Sequence, residues 1–100
     1  MVEQQAQVVV VHLPRERRFE AMIGTQSVGK VDYVQAKTQI AFLHTEVLPE
    51  HKGAGIGTVL ARTVLDYARA EHLAVVPACP FIERWMERHP EYDDLPRSRL

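Results

Sequence analysis

Short stretches that alternate apolar and polar residues occupy the first half of the chain, and a helical period takes over in the second. Val8-Val9-Val10-Val11-His12-Leu13 predicts a strand, ended by Pro14-Arg15-Glu16. Arg18 to Ile23 alternates, with Phe19, Ala21 and Ile23 facing one way. Gly24-Thr25-Gln26 marks a turn, and Ser27 to Gln35 reads as the next strand with Val31 and Tyr33 on one face. After the turn at Ala36-Lys37-Thr38, Ile40, Phe42, His44 and Glu46 alternate with Ala41, Leu43, Thr45 and Val47, the period of a fourth strand. Connections this short leave no room for a crossover, so an antiparallel meander is expected.

Beyond Leu48-Pro49-Glu50-His51 the apolar residues Ile56, Val59, Leu60, Val64, Tyr67 and Ala68 recur at helical spacing. They predict a helix from Gly55 to Glu71, with Thr58, Arg62, Asp66, Arg69 and Glu71 on its other side. His72 stands where a helix usually ends in glycine, which makes it a capping position. Ala74-Val75-Val76 is a short apolar run, and a strand there returning beside the fourth would complete a right-handed crossover. Pro80 suits a first helical position, and Phe81, Ile82, Trp85, Met86 and His89 continue a second helix up to Pro90, with Trp85 in the core. The charged end from Asp93 to Leu100 carries a proline and is expected to fray. The fold class is α/β (α+β): an antiparallel N-terminal meander, a central strand–glycine loop–helix–strand crossover and a C-terminal helix.

The chemistry concentrates in Lys52-Gly53-Ala54-Gly55-Ile56-Gly57, glycines placed between an apolar strand and an amphipathic helix. Such a loop lets successive backbone N–H groups converge on an anion, and the helix behind it adds its own unpaired N–H groups and positive dipole end. Two nucleotide motifs are excluded. A P-loop needs Gly-Lys-Ser/Thr, and here Thr58-Val59 follows Gly57. A dinucleotide fingerprint counted from Gly53 and Gly55 needs glycine at position 58, which is threonine.

Composition narrows the partners. With 100 residues, 46% hydrophobic and 25% charged, the chain is expected to make one domain, 1–100, with one modest core and neither repeats nor linker. A net charge of −1 argues against a nucleic-acid or membrane-surface binder, since those carry a basic face. No apolar run reaches a membrane span, and the start Met-Val-Glu-Gln-Gln lacks the order of a secretory signal, so a cytoplasmic protein is expected. The single cysteine makes no internal disulfide. His51, His72 and Cys79 have no metal-ligand spacing, and no metal site is expected.

Lys52, Gly55 and Gly57 fall on the pattern Gln/Arg-x-x-Gly-x-Gly/Ala and resemble the acetyl-CoA loop of the GNAT N-acetyltransferases. Lys52 departs from it by keeping the positive charge without the planar fork of arginine. From Phe42-Leu43-His44-Thr45-Glu46-Val47 through Asp66-Tyr67-Ala68-Arg69 and Val75-Val76-Pro77-Ala78-Cys79-Pro80 to Arg88-His89-Pro90-Glu91-Tyr92, most of the chain resembles the short, roughly hundred-residue branch of that superfamily.

The resemblance implies acetyl-CoA as cofactor, with the diphosphate on Lys52, Gly53, Ala54, Gly55, Ile56, Gly57 and Thr58 and the pantetheine arm along Thr45, Glu46 and Val47. It implies His44 and Cys79 as candidate catalytic residues. Glu46, on the same face of the strand as His44, is a rival base. Cys79 precedes a helix N-terminus, a position that favours a thiolate, and packing as a small buried hydrophobe is the plain alternative. The expected activity is acyl transfer to an amine of a small molecule or peptide, in a monomer or weak homodimer. The alternative is a coenzyme A binding module with little catalysis, because the short turns at Gly24-Thr25-Gln26 and Ala36-Lys37-Thr38 leave out the helices that build an acceptor pocket in larger members.

Overall fold

The computed structural model describes residues 7–98, so the opening Met-Val-Glu-Gln-Gln and the last two residues of the tail lie outside it. The strands β1 (Val8–Leu13), β2 (Arg18–Ile23), β3 (Gln26–Gln35) and β4 (Gln39–Val47) form the expected meander. Helix α1 (Ile56–Ala70) then leads to β5 (Ala74–Val76), and α2 (Pro80–Glu87) follows. The five strands lie in chain order, antiparallel except for the parallel β4–β5 pair that a helical crossover requires.

One face of this sheet holds Phe19, Ala21, Val31, Tyr33, Ile40 and Phe42 against Leu60, Val64 and Ala68 of α1, in a single apolar cluster that Ile82, Trp85 and Met86 of α2 join. The helix ends as its sequence suggested. His72 takes a left-handed φ of 56°, which lets Leu73 N–H reach Ala68 C=O at 2.9 Å and His72 N–H reach Arg69 C=O at 3.2 Å.

The strict alternation expected along β4 does not hold. Asp32 pairs with His44 but its neighbour Tyr33 pairs with Phe42, so Leu43 is an extra residue, a β-bulge. Phe42 and Thr45 therefore share the core face, while His44 and Glu46 are turned to the opposite one. There they join the Arg18–Glu20 and Lys30–Asp32 ion pairs, at 2.7 and 3.3 Å, and the exposed Val9, Val11, Val34 and Leu43.

The described part of the tail, Asp93 to Ser98, does not fray as expected. Pro96 C=O accepts Val75 N–H at 2.7 Å, Ser98 N–H donates to Val75 C=O at 2.9 Å, and Leu95 is buried in the core. Arg69 anchors the approach through both oxygens of Asp94, at 2.6 and 3.0 Å. A tertiary partner, the open edge of β5, supplies the hydrogen bonds that the tail's own sequence cannot.

Candidate functional site

β4 and β5 pair only from Gln39 to Ala41 and from Ala74 to Val76, and then part. Beyond that point the β5 side of Thr45, Glu46 and Val47 faces no strand, and a cleft of about 830 Å³ opens there. Its wall includes those three residues, and its floor is the loop before α1.

That loop owes its path to glycine. Gly53 and Gly55 have φ of 85° and 82°, a region that side-chain-bearing residues rarely adopt. Gly55 is also the N-cap of α1 and, having no side chain, leaves the first N–H groups of the helix, those of Ile56, Gly57 and Thr58, without a side-chain cap. These donors and the helix dipole make an anion site at the end of the cleft. Lys52 and Arg88 add positive charge to the wall, and neither is in an ion pair among the described residues.

Most of the residues singled out from the sequence meet here. Thr45, Glu46, Val47, Lys52, Gly53, Gly55, Ile56, Gly57 and Thr58 all line the cleft. Ala54 does not, and its N–H donates to His51 C=O at 3.3 Å within the loop. His44 is not in the wall either, but its Nε2 lies 3.3 Å from Glu46 Oε2, with both side chains more than half exposed. Cys79, 3% exposed, donates from Sγ to Thr45 Oγ1 at 3.2 Å. Thr45 and His44 project to opposite faces of β4, so the structure brings Cys79 to Thr45 and not to His44.

Sequence reasoning missed the other wall. Ser27 and Lys30 come from β3, Phe81 and Trp85 from α2, and Arg88 from the C-cap just after it. Nothing local marks them, since their role comes from the strand register and from α2 packing beside the start of α1. Among the described residues no group of His, Cys, Asp and Glu could hold a metal ion. No helix among them is long and apolar enough to cross a membrane.

Residues 18–95 match the sequence profile of the GCN5-related N-acetyl-transferase family. The chain belongs to that family. It is 30% identical over 91 residues to protein NATD1 of Bos taurus, covering 88% of this chain and 80% of the relative. Against NATD1 of Homo sapiens it is 29% identical over 92 residues, covering 89% of this chain and 80% of that one. Among solved structures it is similar to the solution structure of a GCN5-like candidate N-acetyltransferase from Staphylococcus aureus, with a TM-score of 0.70 over 92% of this chain and 89% of the other. At 23% identity that likeness establishes the fold. Family membership places the chain among the acetyltransferases, and the glycine loop is a feature by which its sequence resembled them.

Proposed function

We propose that this protein transfers an acetyl or other short acyl group from a coenzyme A thioester to an amine. One observation carries the reading: the cleft where β4 leaves β5 joins an unpaired strand edge to the uncapped, glycine-lined N-terminus of a helix. Coenzyme A fits such a cleft chemically, since its diphosphate would meet the N–H groups of Ile56, Gly57 and Thr58 beside Lys52, and its amide-bearing arm the backbone of Thr45 to Val47. When bound, it supplies the acyl group as an activated thioester.

The chain's own residues handle the proton. Glu46, partly exposed in the cleft wall, accepts the proton that an attacking amine must lose. His44, 3.3 Å away, orients that carboxylate and offers a route for the proton to solvent. The amine would attack the thioester carbonyl carbon directly, with both substrates bound: the C–N bond forms as the C–S bond breaks, coenzyme A leaves as the thiolate and takes up a proton from solvent, and no covalent enzyme intermediate is needed.

The second reading, a coenzyme A binding module, is favoured by one observation. The face carrying His44 and Glu46, whose side chains are 57% and 58% exposed, is covered by neither helix. Calorimetric titration with coenzyme A tests what both readings share, and absence of binding overturns both. A mass-spectrometric screen of amines with acetyl-CoA separates them: a product formed by the wild type and lost in Glu46→Gln supports transfer, and no product from any amine class supports the module.

A further inference from the structure

We infer that the Thr45 hydroxyl is a hydrogen-bond donor aimed at the acyl carbonyl oxygen of the thioester, and that Cys79 is the positioning residue that aims it. The inference rests on the coenzyme A reading above and assigns Cys79 a role other than nucleophile.

Three features of the structure converge on Thr45. The bulge at Leu43 turns it to the core face at the place where β4 leaves β5, in the wall of the cleft. Its Oγ1 accepts the Cys79 thiol proton at 3.2 Å and makes no other hydrogen bond among the described residues. A hydroxyl carries one proton and two acceptor sites, so engaging one acceptor site leaves the proton to turn away from Cys79 toward the open side.

Cys79 is built to hold still. It is 3% exposed within the core, followed by Pro80, and its carbonyl accepts Glu83 N–H at 3.1 Å to begin α2. A sulfur enclosed in this way, with its proton engaged, suits a fixed donor better than a group that must reach a thioester.

Thr45 and Glu46 are neighbours on a strand and project to opposite faces. A thioester lying along the strand edge would have Thr45 on the side of its carbonyl oxygen and Glu46 on the side from which an amine arrives. A donor on that oxygen strengthens as negative charge develops there during attack, which is when stabilisation accelerates the reaction.

The test compares the affinities of acetyl-CoA and of coenzyme A by calorimetry in wild type, Thr45→Val, Thr45→Ser, Cys79→Ala and Cys79→Ser. Only acetyl-CoA has the acyl carbonyl, so the ratio of the two affinities isolates this hydrogen bond from cofactor binding and from folding. In Thr45→Val the ratio should fall roughly two- to tenfold, the loss of one hydrogen bond. Thr45→Ser should keep it, Cys79→Ala should lower it, and Cys79→Ser, which retains a donor, should restore it. An unchanged ratio in Thr45→Val while coenzyme A still binds overturns this inference alone. A stoichiometric acetyl adduct on Cys79 in the intact mass, formed from acetyl-CoA without acceptor, also overturns it. If the wild type binds no coenzyme A, the function proposed above falls and this inference with it.

Discussion

The ring of Phe81 lies over Gly57 so closely that a Cβ added at Gly57 would stand 2.7 Å from its Cζ. The glycine is thus a packing requirement between α1 and α2 as well as part of the loop. Gly57→Ala should destabilise the protein by roughly 1 kcal/mol as the ring is pushed aside. In a Phe81→Ala background the same change should be neutral or stabilise by up to about 1 kcal/mol, because alanine is the better helix former. Urea unfolding of the two single variants and the double variant measures this change of sign, and additive effects would refute it.

Gly55 has open space around the place a Cβ would occupy, so its requirement is conformational. At φ 82°, a β-branched residue is strained by roughly 1–3 kcal/mol and should relax by re-aiming the loop N–H groups. Gly55→Val should keep the circular dichroism of the wild type and lose coenzyme A binding. Affinity within twofold of wild type in the folded variant would move the cofactor site elsewhere.

Lys52 is exposed in the cleft wall, where its charge acts through screened solvent. Lys52→Ala should weaken coenzyme A binding by a few-fold and flatten its dependence on salt. Titration at low and high ionic strength reads the slope directly, and an equal slope in both proteins would remove Lys52 from the site.

Leu95 is 4% exposed, in a segment whose composition alone suggested a loose end. Leu95→Ala should therefore cost roughly 2–4 kcal/mol, as for a core leucine. Thermal or urea unfolding of the variant checks the docking of the tail, and a loss below about 0.5 kcal/mol, typical of the surface, would contradict it.

His12 stacks on Phe19 at 4.1 Å between ring centroids, and its Nε2 lies 2.6 Å from the Tyr33 hydroxyl. Burial holds its pKa below the ordinary 6.5, against a smaller opposing pull from Glu71. Below 6.5 the unfolded chain takes up a proton that the folded protein resists, so the His12 contribution is intact above that pH and declines as pH falls toward the folded value. The urea midpoint should fall between about pH 7.5 and about pH 5, and fall less in His12→Gln. Parallel curves for the two proteins would assign the acid sensitivity to other groups.

The periods of two and of 3.6 residues determined the four meander strands, the crossover helix with its left-handed His72 end, the fifth strand and the second helix. Each reports which face of a local segment is apolar, and that is written within a few neighbouring residues. The glycine loop was equally legible, because backbone freedom at Gly53 and Gly55 is a property of the residues themselves. What the tertiary structure decided depends on pairing between distant segments. The bulge at Leu43 exists only in the register of β4 against β3, and it put Thr45 on the core face with Phe42 and turned His44 and Glu46 away from it, which plain alternation could not foretell. The Cys79–Thr45 hydrogen bond, Lys30 and Arg88 in the cleft wall, and Pro96 and Ser98 against β5 follow from the same cause. A side chain's partner across space depends on how the whole chain packs, and that information is not contained in any one segment.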